Sequence, residues 1–155
     1  MRLYFVFMLI KSISGIRGTI GGTVGECLTP PDIVRFATGY GAWILSKIEV
    51  GNSTTPTVVL GRDARMSGQM VSDLISSTLN ALGINVVDLG LSTTPTVELA
   101  VPELGANGGI IVTASHNPKE WNALKLLDER GEFLSASEGE RVLELSDSQI
   151  QYAEV

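Results

Sequence analysis

The stretch Gly109-Ile110-Ile111-Val112-Thr113-Ala114-Ser115-His116-Asn117-Pro118 decides the fold. Its first half is apolar and β-branched without polar alternation. That is the pattern of a short strand buried on both faces, found where helices cover both sides of a sheet. The second half turns small and polar and stops at a proline, which is loop chemistry. In layered α/β sheets, ligands bind at the carboxyl ends of strands. Two other segments have the same form. Thr57-Val58-Val59-Leu60 runs into Gly61-Arg62-Asp63-Ala64-Arg65, and the apolar residues 3–10 run into Ser14-Gly15-Ile16-Arg17-Gly18-Thr19-Ile20-Gly21-Gly22. The candidate ligand loops are therefore 15–22, 61–68 and 114–118.

Helical periodicity fills the spaces between these strands. Ile33, Phe36, Ala37, Tyr40, Ile44 and Ile48 share one helical face, and Thr29 followed by Pro30 and Pro31 supplies the start signal. Met70, Leu74, Ile75, Leu79 and Leu82 mark a second helix ended by Gly83. Residues 84–89 read as a strand. Thr94 and Pro95 open a shorter third helix that stops near Pro102. Residues 123–127 read as a strand folding back after the 114–118 loop, with a turn over 128–131. Ser137 with Glu140 offers a capping box for a last helix. The alternation predicts an α/β domain over residues 1–155, three-layered α/β/α with a mixed, mostly parallel sheet.

Composition narrows the function classes. The chain has 155 residues, 44% of them hydrophobic and 18% charged, which excludes a disordered or collagen-like chain. Eleven Lys and Arg against 17 Asp and Glu give a net charge of −6, which argues against nucleic acid or an anionic membrane as partner. The apolar run over residues 3–10 is far shorter than the roughly 20 residues of a membrane helix and lacks a small-residue cleavage site. One cysteine, Cys27, cannot close an internal disulfide, and the single histidine, His116, leaves no Cys/His metal cluster. A cytoplasmic protein is expected, in which Asn52-Ser53-Thr54 is a polar loop rather than a glycosylation site.

Four groups of residues could carry chemistry. Ser115 stands beside the only histidine, but a serine hydroxyl needs a base or strong electrostatics to act as a nucleophile. The Gly-x-Ser-x-Gly elbow is absent, and an ordinary polar turn before Pro118 is the competing interpretation. Arg62 and Arg65 flank Asp63. A guanidinium suits phosphate or carboxylate, while a local Arg–Asp ion pair ordering the loop is the alternative. Arg17 lies between glycines, free to meet an anion or simply exposed in a turn. Lys125 follows Ser115 on the folded-back strand, where it can reach toward a phosphate or remain in solvent. Glycines 18, 21, 22 and 25 match neither a P-loop nor a dinucleotide fingerprint. Trp43 and Trp121 read as packing residues.

Taken together, Ser14-Gly15-Ile16-Arg17-Gly18, Gly61-Arg62-Asp63-Ala64-Arg65 and Thr113-Ala114-Ser115-His116-Asn117-Pro118 with Asn122-Ala123-Leu124-Lys125 resemble the α-D-phosphohexomutase family. That family includes phosphoglucomutase, phosphomannomutase and phosphoglucosamine mutase. The resemblance covers nearly the whole chain, fits the first of the family's four domains, and is most specific at Ser115-His116-Asn117-Pro118. It implies that the remaining domains are absent and that the domain alone is inactive. It implies that Ser115 carries a phosphoryl group and donates it to a hexose 1- or 6-phosphate. A hexose 1,6-bisphosphate then reorients and returns the other phosphoryl.

By the same resemblance, Arg17 and Lys125 bring positive charge to the moving phosphoryl, with Lys125 also a proton-transfer candidate. His116 and Asn117 would bond the loop or a substrate hydroxyl, and the general base stays open. Arg62 is grouped with Asn117 as substrate-binding, although Arg62, Asp63 and Arg65 are expected chiefly to support the loop. Mg²⁺ would be held by a phosphate oxygen on Ser115 and by three aspartates of a second-domain loop. No Asp-x-Asp occurs here, so the metal site is incomplete in this chain. Gly68 departs from a serine common in relatives. The motif wording is closer to phosphoglucosamine mutase or phosphomannomutase. Expected partners are a phosphosugar, the missing domains and a second copy through the exposed domain interface. A stand-alone, non-catalytic binding module is the alternative. A serine hydrolase is poorer, with one histidine and no inferable triad.

Overall fold

The buried run around Ile110 is strand β5 (Gly108–Val112), buried along its whole length in a computed structural model that describes residues 9–12, 15–49, 51 and 54–154. Residues 3–8, Ser14 and Asn52-Ser53 lie outside the described residues. Before β5 come β1 (Leu9–Ser12), β2 (Gly15–Thr19), α1 (Pro30–Ser46), β3 (Thr57–Arg62), α2 (Gly68–Ala81), β4 (Asn85–Leu91) and α3 (Thr94–Glu103). After it come β6 (Trp121–Leu127) and α4 (Ala136–Ser146).

The six strands form one sheet in the order β1-β2-β6-β5-β3-β4. The sheet is mixed, as expected, but parallel pairing is confined to the β5–β3–β4 half. The pairs β1–β2, β2–β6 and β5–β6 are antiparallel, so "mostly parallel" overstates it. The cause is connection length. β6 returns from β5 through a loop with no helix to carry the chain back, and a short return can only pair antiparallel.

Alternation along the strands divides the core in two. Ile16, Val58, Leu60, Ile110, Val112, Leu124 and Leu126 pack under α1, α2 and α4 with Ile33, Phe36, Tyr40, Ile75, Leu79 and Val142. Val59, Ile111 and Leu127 point the other way and meet Val97, Val101 and Ala106 beneath α3. The three-layer α/β/α architecture is thus present. Its second helical layer is a single helix that packs chiefly on β3 and β5. On that side, β6 and β2 are left as an open shelf.

Local signals explain most boundaries. Thr29 caps α1 with Pro30 at the first helical position, and Asp32 accepts the Thr29 N–H at 3.3 Å. Both Asp32 oxygens also accept the Gly25 N–H, at 3.1 and 3.2 Å, which ties the preceding loop to the helix. The α4 capping box is Ser135 with Glu138, two residues earlier than Ser137 with Glu140. Leu134 is buried and its N–H bonds the Leu126 carbonyl, so the chain leaves the sheet directly into the helix.

The larger correction concerns residues 15–19, which form a strand and not a loop. Gly15 adopts φ +125°, and a Cβ there would stand 2.1 Å from the Leu124 carbonyl oxygen. Glycine is what allows β2 to lie this close to β6. Trp43 is buried beside Tyr40, as a packing residue, and Trp121 is half-buried on β6. Among the described residues, no helix is long and apolar enough to cross a membrane.

Candidate functional site

Where β5 ends, the chain enters a loop whose backbone is unusual. Ser115 has φ +54°, the only positive value among the described non-glycine residues. Such a conformation costs an L-residue roughly 1–2 kcal/mol and persists only where surrounding contacts impose it. Those contacts come from Thr113 and, behind it, from the β3 loop. The Ser115 N–H donates to Thr113 Oγ1 at 3.1 Å, and that hydroxyl donates to Asp63 Oδ2 at 2.6 Å. Arg65 pairs with Asp63 at 3.2 Å. Its Nη2 donates to the carbonyls of Ser115 (2.9 Å) and Asn117 (2.8 Å). Its Nη1 donates to those of Pro118 (2.7 Å) and Trp121 (2.9 Å). The local Arg–Asp pair expected from the sequence is there, and it reaches across to the serine loop.

Ser115, His116 and Asn117 line a cavity of about 240 Å³ on the helix-free shelf. Arg17 of β2 and Lys125 of β6 line it as well, with Ser12 and Phe133. Strand register brings the two cations together. Arg17 pairs with Ala123, and Ile16 with Leu124, so Arg17 and Lys125 fall on the same face of adjacent strands. Among the described residues no carboxylate lines the cavity, although the chain carries −6 overall. Ser115, His116 and Arg17 are exposed, and Lys125 is half-buried. A cavity with two fixed cations, no acid and an accessible hydroxyl suits an anionic, hydroxyl-reactive ligand such as a phosphate ester.

Five of the six candidate residues thus meet in one place: Ser115, His116, Asn117, Arg17 and Lys125. Arg62 does not line that cavity. Its guanidinium donates to the Asp63 carbonyl at 3.2 Å and to Gln69 Oε1 at 2.8 Å, which orders the start of α2. Sequence reasoning misses the hydroxyl of Thr113 and the four-carbonyl reach of Arg65. Their signal is faint: Thr113 reads as the last strand residue, and the partners of Arg65 lie 50 to 56 positions away. Among the described residues, no group of three or more His, Cys, Asp or Glu side chains is placed to hold a metal.

Residues 9–153 match the family model for phosphoglucomutase/phosphomannomutase, alpha/beta/alpha domain I. A phosphoglucomutase/phosphomannomutase of Thermococcus kodakarensis is 40% identical over 116 residues, covering 74% of this chain and 25% of the relative. A phosphoglucosamine mutase of Lactococcus lactis is 42% identical over 128 residues, covering 80% and 26%. A solved phosphoglucomutase/phosphomannomutase family protein from Burkholderia thailandensis superposes with a TM-score of 0.71 at 26% identity, over 90% of this chain and 30% of that one. A structure from Thermus thermophilus reaches 0.77 at 29% identity, over 89% and 30%. The chain spans about a quarter of the length of the curated relatives it matches. It belongs to the phosphoglucomutase/phosphomannomutase family and has the architecture of that family's α/β/α domain I.

Proposed function

We propose that Ser115 carries the phosphoryl group of a phosphohexomutase. The observation that supports this best is the carboxylate-free cavity in which Ser115 faces Arg17 and Lys125. In the forward step, the bond from phosphorus to Ser115 Oγ breaks as a bond forms to a hydroxyl oxygen of a hexose monophosphate. The hydroxyl proton passes to a basic group, and His116 and Lys125 both line the cavity as candidates for that role. The resulting hexose bisphosphate turns, and Ser115 Oγ takes the other phosphoryl, releasing the isomeric monophosphate. Phosphoryl transfer of this kind depends on positioning and on charge stabilisation. Arg17 and Lys125 supply the charge from a rigid sheet surface, and Asn117 can bond the phosphoryl or a sugar hydroxyl.

A bound Mg²⁺ would neutralise charge on the transferring group. Ser115 could offer it a phosphate oxygen, but the cavity has no carboxylate to complete the shell. The donor set described here does not make a magnesium site by itself. We expect Ser115 phosphorylation from these residues and full turnover only with the remaining length found in the relatives. The exposed Leu99, Leu104 and Phe133 support packing against further structure or a second copy.

The test is incubation with a hexose 1,6-bisphosphate followed by intact-mass analysis and phosphopeptide mapping. One phosphoryl group on the peptide containing Ser115, lost in Ser115→Ala, is expected. Equal labelling of Ser115→Ala overturns the proposal. Saturable hexose-phosphate binding with no labelling of any residue would favour a non-catalytic binding module of the same fold.

A further inference from the structure

The two peptide groups flanking Ser115 are both held, one by Thr113 and the other by Arg65, and both of these bond Asp63. Its N–H, belonging to the peptide before it, donates to Thr113 Oγ1, whose hydroxyl is fixed by Asp63. Its carbonyl, belonging to the peptide after it, accepts from Arg65 Nη2. Asp63 in turn accepts the Arg65 N–H at 3.0 Å and its Nε–H at 3.2 Å. Orienting both peptide planes around one Cα fixes both of its backbone dihedrals. This is the physical reason a serine can stay at φ +54°.

We infer that Thr113 and Arg65 are positioning residues for phosphoryl transfer at Ser115, holding its backbone in the left-handed conformation that presents the hydroxyl to Arg17 and Lys125. Neither needs to touch the substrate. Arg65 is only 12% exposed at its side chain and is committed to Asp63 and the loop carbonyls. The arrangement also occupies the Ser115 N–H, which is therefore not free to bind the phosphoryl group. The inference rests on Ser115 being the phosphoryl carrier, and the experiment separates the two.

Thr113→Val removes the acceptor with little change of shape, Thr113→Ser restores it, and Arg65→Met removes the guanidinium. In isotope-labelled protein, the amide-to-α-proton coupling and the carbon shifts of Ser115 report its backbone conformation without any activity. Thermal melting reports folding. The left-handed signature is expected in the parent and in Thr113→Ser, and is expected to be lost in folded Thr113→Val and Arg65→Met. At saturating hexose 1,6-bisphosphate, the rate of Ser115 phosphorylation should fall about 10–100-fold in the two disruptive variants, the scale of an ångström-sized misplacement. The half-saturating concentration should change little, and Thr113→Ser should restore the rate. A purely structural role would lower the folded fraction and leave the rate constant of folded molecules alone.

If Arg65→Met does not fold, Thr113→Val decides. A folded Thr113→Val with the parental Ser115 signature, or with the parental rate constant, overturns the inference. If the backbone signature responds as stated but the parent takes no phosphoryl at Ser115, the positioning stands and the phosphoserine assignment fails.

Discussion

Replacing Gly15 by alanine tests how tightly the fold and the site share one contact. The new Cβ would lie 2.1 Å from the Leu124 carbonyl oxygen and 3.0 Å from both the Leu124 carbonyl carbon and Lys125 Cα. All three are backbone atoms, so no side chain can swing aside. Reaching ordinary contact requires β2 and β6 to part by more than about 1 Å. That would sacrifice about two ladder hydrogen bonds, each worth about 1 kcal/mol net. The φ of +125° adds about 1–3 kcal/mol for an L-residue. Together the cost is about 3–5 kcal/mol, or a fall in melting temperature of about 6–20 °C at this chain length. Gly21→Ala is the control, because Gly21 has φ +83° and nothing within 4 Å of a built Cβ. It should cost only about 1–2 kcal/mol. Urea unfolding of both variants, followed by circular dichroism, measures the difference. If Gly15→Ala costs no more than Gly21→Ala, the close β2–β6 approach is not what demands glycine. In whatever fraction folds, displacement of Lys125 should also slow phosphorylation of Ser115.

Two further predictions concern the buried C-terminal end of β6. Burial pushes the Asp128 carboxyl up, but hydrogen bonds from Arg130 and from the Glu132 and Arg130 N–H groups outweigh it and leave it below its usual range. Its ionised form therefore stabilises the fold above the unfolded-state value near pH ~4, and that stability is lost as pH falls through the lower folded value. Asp128→Asn should cost about 1–2 kcal/mol at pH 7. Urea midpoints should show the gap closing in acid, and a gap that does not change with pH refutes this account. Tyr40 donates to the Leu127 carbonyl at 2.7 Å, and burial pushes its hydroxyl far above the ordinary tyrosine range. Tyr40→Phe should cost about 1 kcal/mol at neutral pH. Its disadvantage should shrink above pH ~10, where the unfolded parent ionises and its buried Tyr40 does not. An undiminished gap in alkaline unfolding experiments would contradict this.

The parts of the molecule visible in its sequence are those set by neighbours along the chain. β5 is legible because an unbroken apolar run has no other use in a small α/β protein. The start of α1 is legible because a capping threonine followed by proline acts within one turn. β2 reads as a loop because its glycines carry loop chemistry. Gly15 serves instead a close approach to β6, a strand more than a hundred residues later. The α4 start differs by two residues because Ser135 and Ser137 both begin a capping-box pattern, and the burial of Leu134 chooses between them. At the site, the residues lining the cavity are identifiable by their type. The residues behind them are not, because the four carbonyls that Arg65 gathers have no side-chain identity to read.

The half-covered sheet has a consequence for how the site tolerates change. Arg17 and Lys125 project from a hydrogen-bonded ladder as diagonal neighbours, so their spacing, about 7–8 Å, is set by register and strand separation rather than by loop length. A slip of one residue between β2 and β6 would exchange faces along β2, sending Arg17 toward the core and Ile16 into the cavity. Insertions near the serine can shift the Ser115 hydroxyl, whereas the spacing of the cationic pair changes only by re-registering the sheet. Ladder register is thus the ruler of this site, and the loop is its only adjustable part.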